Sequence, residues 1–311
     1  MFNKVLVPLD FSRLAEYALP PAIKIVQQAQ GELTLLNVLE RHVVLIPEGP
    51  EMMGHNLYHP ETSLNQEAEA AHKYFNDLQS GFGRAYTDLA WKTRIEEGDP
   101  ASCIIDLAED EAIDLVVMST HGYSGMTRWF LGSVAEKVLR HVACPVLIVR
   151  EEFAIKRIVI TLDGSVLAES SLPFGLDVAE AFAFGAEVTL LYVDELSEKV
   201  DANKIENLNK DEPGLGDRYR QEFQLKAETY LNHVRQTYGR NNLNIKTAVR
   251  YGKPAHAILN FAEDNEIDLI VMSTHGRTGL ARWRYGSVTE KVLHSADCAM
   301  LIYRPEEMEL P

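Results

Sequence analysis

"IDLVVMSTHGYSGMTRWFLGSVAEKVLRHVACPVLIVR" spans Ile113–Arg150, and "IDLIVMSTHGRTGLARWRYGSVTEKVLHSADCAMLIYR" spans Ile267–Arg304. After an Ile-Asp pair, each copy enters a short run that is apolar at every position ("LVVM", "LIVM"). It passes through a polar stretch punctuated by glycine, then a helical pattern ("SVAEKVLRHV" in the first copy), and closes on a second apolar run. Runs of this length without polar alternation suit strands buried on both faces of a parallel sheet. The glycine-punctuated stretch is too polar to be a core element. Its recurrence marks a loop with a task, presented once per half.

Extending the alignment to Gly98–Arg150 and Gly252–Arg304, more than half of the positions are identical without a gap. Upstream the match is looser: "KVLVPLDFS" (Lys4–Ser12) answers to "RIVITLDGS" (Arg157–Ser165), and "GELTLLNV" (Gly31–Val38) to "GAEVTLLYV" (Gly185–Val193). The period far exceeds that of solenoid repeats. The chain therefore reads as two copies of a whole domain, 1–151 and 152–311, joined through the charged segment Arg150–Arg157. In each copy short apolar runs alternate with amphipathic stretches. "KVLVPL", "LTLLNV", "AWKTRIEEG", "DLVVMS" and "PVLIVR" are predicted strands. "SRLAEYALPPAIKIVQQAQ", "LNQEAEAAHKYFNDLQSGF", "PASCIIDLAEDEA" and "SVAEKVLRHV" are predicted helices, the first kinked or restarted by Pro20 and Pro21. The expected fold is α/β: two tandem doubly wound, Rossmann-like domains, each with a five-stranded parallel sheet and about four helices.

The 311 residues are 46% hydrophobic and 24% charged, ordinary for globular domains with sizeable cores. The net charge of −16 disfavours nucleic acid and anionic membranes as partners. It does not forbid a small anion held by backbone donors. Cys103, Cys144 and Cys298 share no CxxC spacing and suit a reducing compartment. "MFNKVLVPLDFS" shows neither an h-region nor a cleavage site, and no apolar run spans a bilayer, so the expected location is the cytoplasm.

In doubly wound folds ligands sit beyond the carboxyl ends of the strands, where the strand order reverses. Asp10 and Asp163 follow the first predicted strand of each half. Each is open to two roles: reaching a ligand hydroxyl, or opening the next helix as a cap or turn residue. After the fourth strand come Gly122, then Gly132-Ser133, and in the copy Gly276, then Gly286-Ser287. Gly132 and Gly286 immediately precede predicted helices, whose first N–H groups attract anions. Glycine would admit a phosphate closely and the serine hydroxyl would add a donor; alternatively the serines cap the helix and the glycines serve the turn. The loop is not a Walker A motif, because no Gly-Lys-Ser/Thr closes it. It is not a dinucleotide fingerprint either, because its glycines follow the fourth strand and not the first.

The "VPLD" start, the "LTLLNV" strand and the "STHG…GSVAEKVLRHVACPVLIV" ending resemble the universal stress protein family over nearly the whole chain. Nucleotide-binding members carry Gly-x2-Gly-x9-Gly-Ser/Thr at this ending. Here Ser119 and Ser273 replace the first glycine, and Thr161 stands in the second half where the first has Pro8. The resemblance implies ATP or a related adenine nucleotide as ligand, with Mg2+ as its companion. Pro8 and Asp10 would lie by the ribose, and the Val38 backbone by the adenine. Ser119, Gly122, Gly132, Ser133 and Val134 would line the phosphate side. Asp163, Val193, Ser273, Gly276, Gly286, Ser287 and Val288 would do the same in the copy. It also implies a two-fold pairing of fifth strands, which a tandem chain supplies internally as a pseudo-dimer, leaving other surfaces for a true homodimer.

The expected function is that of a stress-response regulator or switch. The alternatives are a nucleotide-independent interaction protein with structural glycine loops, and a slow ATP hydrolase. No catalytic residue and no metal ligand is assigned. Arg128 and Arg282 would steady phosphate charge or pin the loop by a salt bridge. His121 and His275 read as structural. The insertion at 40–63 reads as a lid, an intersubunit contact or a solvated loop, and Pro60 and Gly54 argue against a helical metal pair of His55 and His59.

Overall fold

The computed structural model describes residues 2–40, 44–45, 57–58, 61–83, 89–120, 131–151, 154–182, 186–194, 215–274 and 286–305. The first half runs β1 (Lys4–Pro8), α1 (Arg13–Glu16), α2 (Leu19–Ala29), β2 (Glu32–Leu39), the two-residue strands β3 (Val44–Leu45) and β4 (Leu57–Tyr58), α3 (Glu61–Gly83), β5 (Ala90–Glu97), α4 (Pro100–Asp110), β6 (Leu115–Ser119), α5 (Ser133–His141) and β7 (Val146–Val149). The second half repeats the order: β8 (Arg157–Leu162), α6 (Val166–Glu169), α7 (Leu172–Ala181), β9 (Glu187–Asp194), α8 (Leu215–Tyr238), β10 (Asn244–Tyr251), α9 (Pro254–Asp264), β11 (Leu269–Ser273), α10 (Ser287–Ser295) and β12 (Ala299–Tyr303).

The predicted first helix is in fact two. Ser12 caps α1, its hydroxyl accepting from the Ala15 N–H, and α1 ends after one turn. Pro20 and Pro21 then occupy the first turn of α2, where a missing N–H costs nothing. The prolines restart the helix and do not kink it. The copy does the same with Ser165, α6 and α7.

The main strands form one ten-stranded sheet in the order β10-β9-β8-β11-β12-β7-β6-β1-β2-β5. Each half contributes five parallel strands. The halves meet at β7 and β12, which pair antiparallel with Ile148 opposite Met300 and Val146 opposite Ile302. Side chains alternate strictly between two cores. Val5, Val7, Leu115, Val117, Leu269 and Val271 face α2, α3, α7 and α8, whereas Leu6, Val116, Met118, Ile270 and Met272 face α4, α5, α9 and α10. Both cores run through the seam without interruption. Over the seam α2 meets α7, and Phe174 lies 4.4 Å from the Tyr303 ring and 6.0 Å from that of Phe2.

A repeated carboxylate fixes where each half begins. Asp114 accepts from the N–H groups of Asn3 and Lys4 at 2.8 and 2.9 Å, tying the start of β1 to that of β6. Asp268 does so for Lys156 and Arg157, both at 2.8 Å.

Candidate functional site

Strand order reverses between β1 and β6 in the first half and between β8 and β11 in the second. The region beyond the carboxyl ends of these strands is where a doubly wound sheet places its ligand crevice. One wall is the turn after the first strand. Leu9 extends the ladder, its N–H reaching the Leu36 carbonyl at 2.8 Å. Asp10 then accepts the Ser12 N–H at 3.1 Å. In the copy Asp163 accepts both the N–H and the hydroxyl of Ser165, at 3.0 and 2.6 Å. The aspartates thus shape the turn, while the serines two positions on cap the helices. Between them Phe11 holds φ 65, where the copy has Gly164 at φ 82. A bulky residue in the left-handed region carries strain of order 1–3 kcal/mol.

The other wall is the start of α5. Ser119 ends β6, and Thr120 follows, buried, with its N–H on the Val149 carbonyl. The Thr120 carbonyl accepts the Gly132 N–H at 2.7 Å, and Thr274 accepts that of Gly286 at 2.6 Å. Each bond pins together the two ends of the glycine-punctuated loop. A Cβ on Gly132 or Gly286 would lie 2.8 Å from that carbonyl oxygen. Glycine is therefore demanded by the close pass of the chain against its own strand. Its φ of −63 at Gly132 is open to any residue.

Gly132 and Gly286, not the serines, are the N-caps, and being glycines they supply no side-chain capping bond. Ser133 and Ser287 are the first helical residues and are exposed. This removes the capping role considered for the serines. Among the described residues the first-turn N–H groups then have no N-cap side-chain acceptor of the kind that Ser12, Asp99 and Ser165 supply elsewhere. Val134 and Val288 are half-buried against the core beneath. In β2, Val38 packs on the same core, and Val193 holds the matching place in β9. Pro8, Asp10, Val38, Ser119, Gly132, Ser133 and Val134 are all placed at carboxyl strand ends or at the helix start. So are Asp163, Val193, Ser273, Gly286, Ser287 and Val288. Gly122, Gly276, His121, His275, Arg128 and Arg282 lie outside the described residues, as do His55 and His59.

Several residues of the crevice went unnoticed in the sequence. Asn37 is buried, and its Nδ2 donates to the Leu9 carbonyl at 2.7 Å, fixing the chain just before Asp10; its Oδ1 finds no partner among the described residues. Tyr74 on α3 donates to Glu16 on α1 at 3.0 Å, and Tyr230 on α8 to Glu169 on α6 at 2.9 Å. Phe11 meets Tyr74 edge-on at 5.0 Å. Burial first, then the neighbouring glutamate, pushes both tyrosine hydroxyls well above their ordinary range. The signal was available: "LAE" recurs at 14–16 and 167–169, and a tyrosine recurs on each long helix.

The two halves are not electrostatically alike at the caps of α4 and α9. Lys137 on α5 reaches Asp99, the cap of α4, at 2.7 Å. That ammonium, followed by the Ser102 hydroxyl and N–H, holds the Asp99 carboxyl at about 2. The second half has Lys253 at the equivalent cap, with no side-chain capping bond. Among the described residues no group of three His, Cys, Asp or Glu gathers as a metal site. No helix among them is long and apolar enough to cross a membrane. An open groove lined by Gln224, Glu228, Asn232, Thr247 and Tyr251 lies on the outer strand β10, away from both crevices.

A duplicated doubly wound sheet, with a glycine-capped helix start pinned at each reversal point, defines a tandem α/β protein. The sequence model of the universal stress protein family matches residues 1–150 and again 154–304, and the chain belongs to that family. Among relatives, universal stress protein YxiE of Bacillus subtilis (strain 168) is 32% identical over 152 residues, 48% of this chain and 100% of its own length. Universal stress protein MJ0531 of Methanocaldococcus jannaschii is 31% identical over 153 residues, 49% of this chain and 84% of its own. Each of these matches half of the present chain. The crystal structure of a universal stress protein from Archaeoglobus fulgidus DSM 4304 aligns with a TM-score of 0.67 at 19% identity, covering 98% of this chain and 99% of that one. That last likeness extends to the whole tandem fold.

Proposed function

We propose that each module, residues 1–151 and its copy 152–311, binds an adenine nucleotide in its crevice, and that the chain acts as a nucleotide-responsive regulator. ATP, accompanied by Mg2+, is the ligand that fits this reading. The observation that carries it is the glycine-capped start of α5 and of α10, each pinned by a Thr–Gly backbone bond in the half whose first strand ends in an aspartate turn. First-turn N–H groups, which have no intrahelical acceptor, and the helix macrodipole together favour phosphate there. Asp10 and Asp163 stand across the crevice as acceptors for ribose hydroxyls, and Val38 and Val193 offer backbone groups to the base. Cytoplasmic residence and a true homodimer belong to the same reading.

A second reading has its own support. The 2.8 Å approach of a Cβ to Thr120 or Thr274 accounts for the glycines without any ligand. A nucleotide-independent interaction protein would keep them for that reason alone. For the same reason a Gly132→Val change is a poor test, because it disturbs the turn itself. The better variant is Ser133→Asp with Ser287→Asp. An aspartate at an exposed first helical position suits the macrodipole but repels a phosphate. Calorimetric titration with Mg-ATP is expected to show submillimolar binding to the unmodified chain. The double variant should bind at least about tenfold more weakly with an unchanged unfolding midpoint. Equal affinity in the two proteins, or no binding at millimolar ATP, favours the second reading.

A further inference from the structure

The last arginine of each half reaches across the seam. Arg304, just beyond β12, donates through both terminal nitrogens to carbonyls at the end of α5: that of Arg140 and, at 3.2 Å, that of His141. Arg150, just beyond β7, donates to the Leu293 carbonyl near the end of α10. The antiparallel register explains the exchange. Continuing outward from the Ile148–Met300 and Val146–Ile302 pairs brings Arg150 opposite Cys298 and Arg304 opposite Cys144. Each cysteine lies in the short segment that follows the other half's last helix.

These carbonyls need a donor. An α-helix leaves its final C=O groups without intrahelical N–H partners. Both helices run directly into extended residues, Val142 at φ −67, ψ 141 and Ala296 at φ −72, ψ 138. The N–H groups of those residues bond Val138 and Val292 only. No left-handed glycine turns the chain back to meet the carbonyls that follow. A guanidinium there supplies several donors in one plane and sets positive charge at the negative end of the helix. The Arg150 side is the drier of the two: its Nε is buried without a partner among the described residues.

The helices held in this way are the two whose opposite ends start the candidate crevices. We infer that Arg304 is a positioning residue for the first crevice and Arg150 for the second, so that each half steadies the helix carrying the other half's site. The link to ligand binding rests on the nucleotide reading above; the exchanged arginines themselves do not.

Hydrogen exchange read by mass spectrometry on the full chain tests both parts. Without nucleotide, Arg304→Ala should speed exchange in the last turn of α5 by at least roughly fivefold, since each of its two hydrogen bonds is worth about that, and leave α10 unchanged. Arg150→Ala should do the reverse. Arg304→Lys, which keeps the charge and loses the fork, should fall between and guards against a variant that folds badly. Acceleration spread evenly over both halves, or confined to residues around 304 itself, overturns the inference. With Mg-ATP added, protection at the start of α5 should drop in Arg304→Ala while protection at the start of α10 persists. Equal ATP protection in variant and unmodified chain overturns the link to the crevice. If the unmodified chain shows no ATP protection but the exchange pattern holds, the nucleotide reading fails and the arginine pairing stands.

Discussion

A methyl group on Gly132 would stand 2.8 Å from the Thr120 carbonyl oxygen, and that oxygen cannot retreat without breaking its bond to the Gly132 N–H. Gly132→Ala is therefore expected to destabilise the protein by about 1–3 kcal/mol, as overpacking against backbone does. Urea unfolding with and without Mg-ATP checks this: the loss should be present in both conditions, and a loss seen only with ATP would mean that the ligand and not Thr120 demands the glycine. The sequence pointed to this glycine but not to the reason for it. Contact with a carbonyl twelve positions back depends on how β6 and α5 are juxtaposed, which no local pattern reports. The aspartates were half legible for a similar reason. Asp and Ser both form caps and tight turns, so "DFS" and "DGS" predict a helix start without saying which residue takes which bond.

Secondary structure was the most legible level. Four apolar runs per half became strands, because burial on both faces leaves an unmistakable composition; the edge strands β5 and β10 are more polar and partly exposed. The α1–α2 break followed from Pro20 and Pro21. What stayed hidden were the contacts between elements, chiefly Tyr74 with Glu16 and Tyr230 with Glu169. Their pH response follows from linkage. A tyrosine held protonated above its ordinary 10.0 in the fold ionises more easily once unfolded. The pair's contribution is thus complete below pH 10 and declines as pH rises beyond it. Tyr74→Phe should cost about 1 kcal/mol at neutral pH, the net value of one hydrogen bond. Denaturant midpoints measured at increasing alkalinity should show wild type converging on the variant. A constant gap would mean that Glu16 contributes nothing through the hydroxyl proton.

At the scale of the molecule, neither half has a core of its own in the usual sense. The apolar layer on each side of the sheet passes through β7 and β12, with Leu147 and Leu301 fully buried at the join. Heat should therefore unfold the chain in one cooperative step, with calorimetric and van't Hoff enthalpies agreeing. Two separated transitions in a calorimetric scan would show that the seam is weaker than either half. This continuity was legible only through the family resemblance. A pairing between strands some 150 residues apart in the chain leaves no periodic trace, and the Arg150 and Arg304 contacts that accompany it leave none either.

A dimer of identical subunits must accept every substitution on both sides of its axis at once. Covalent fusion lifts that constraint here: Phe11 is matched by Gly164, Asn37 by Tyr192 and Asp99 by Lys253. One half is thereby free to change the residues at its strand ends while its twin keeps its own, and the shared sheet keeps them both folded.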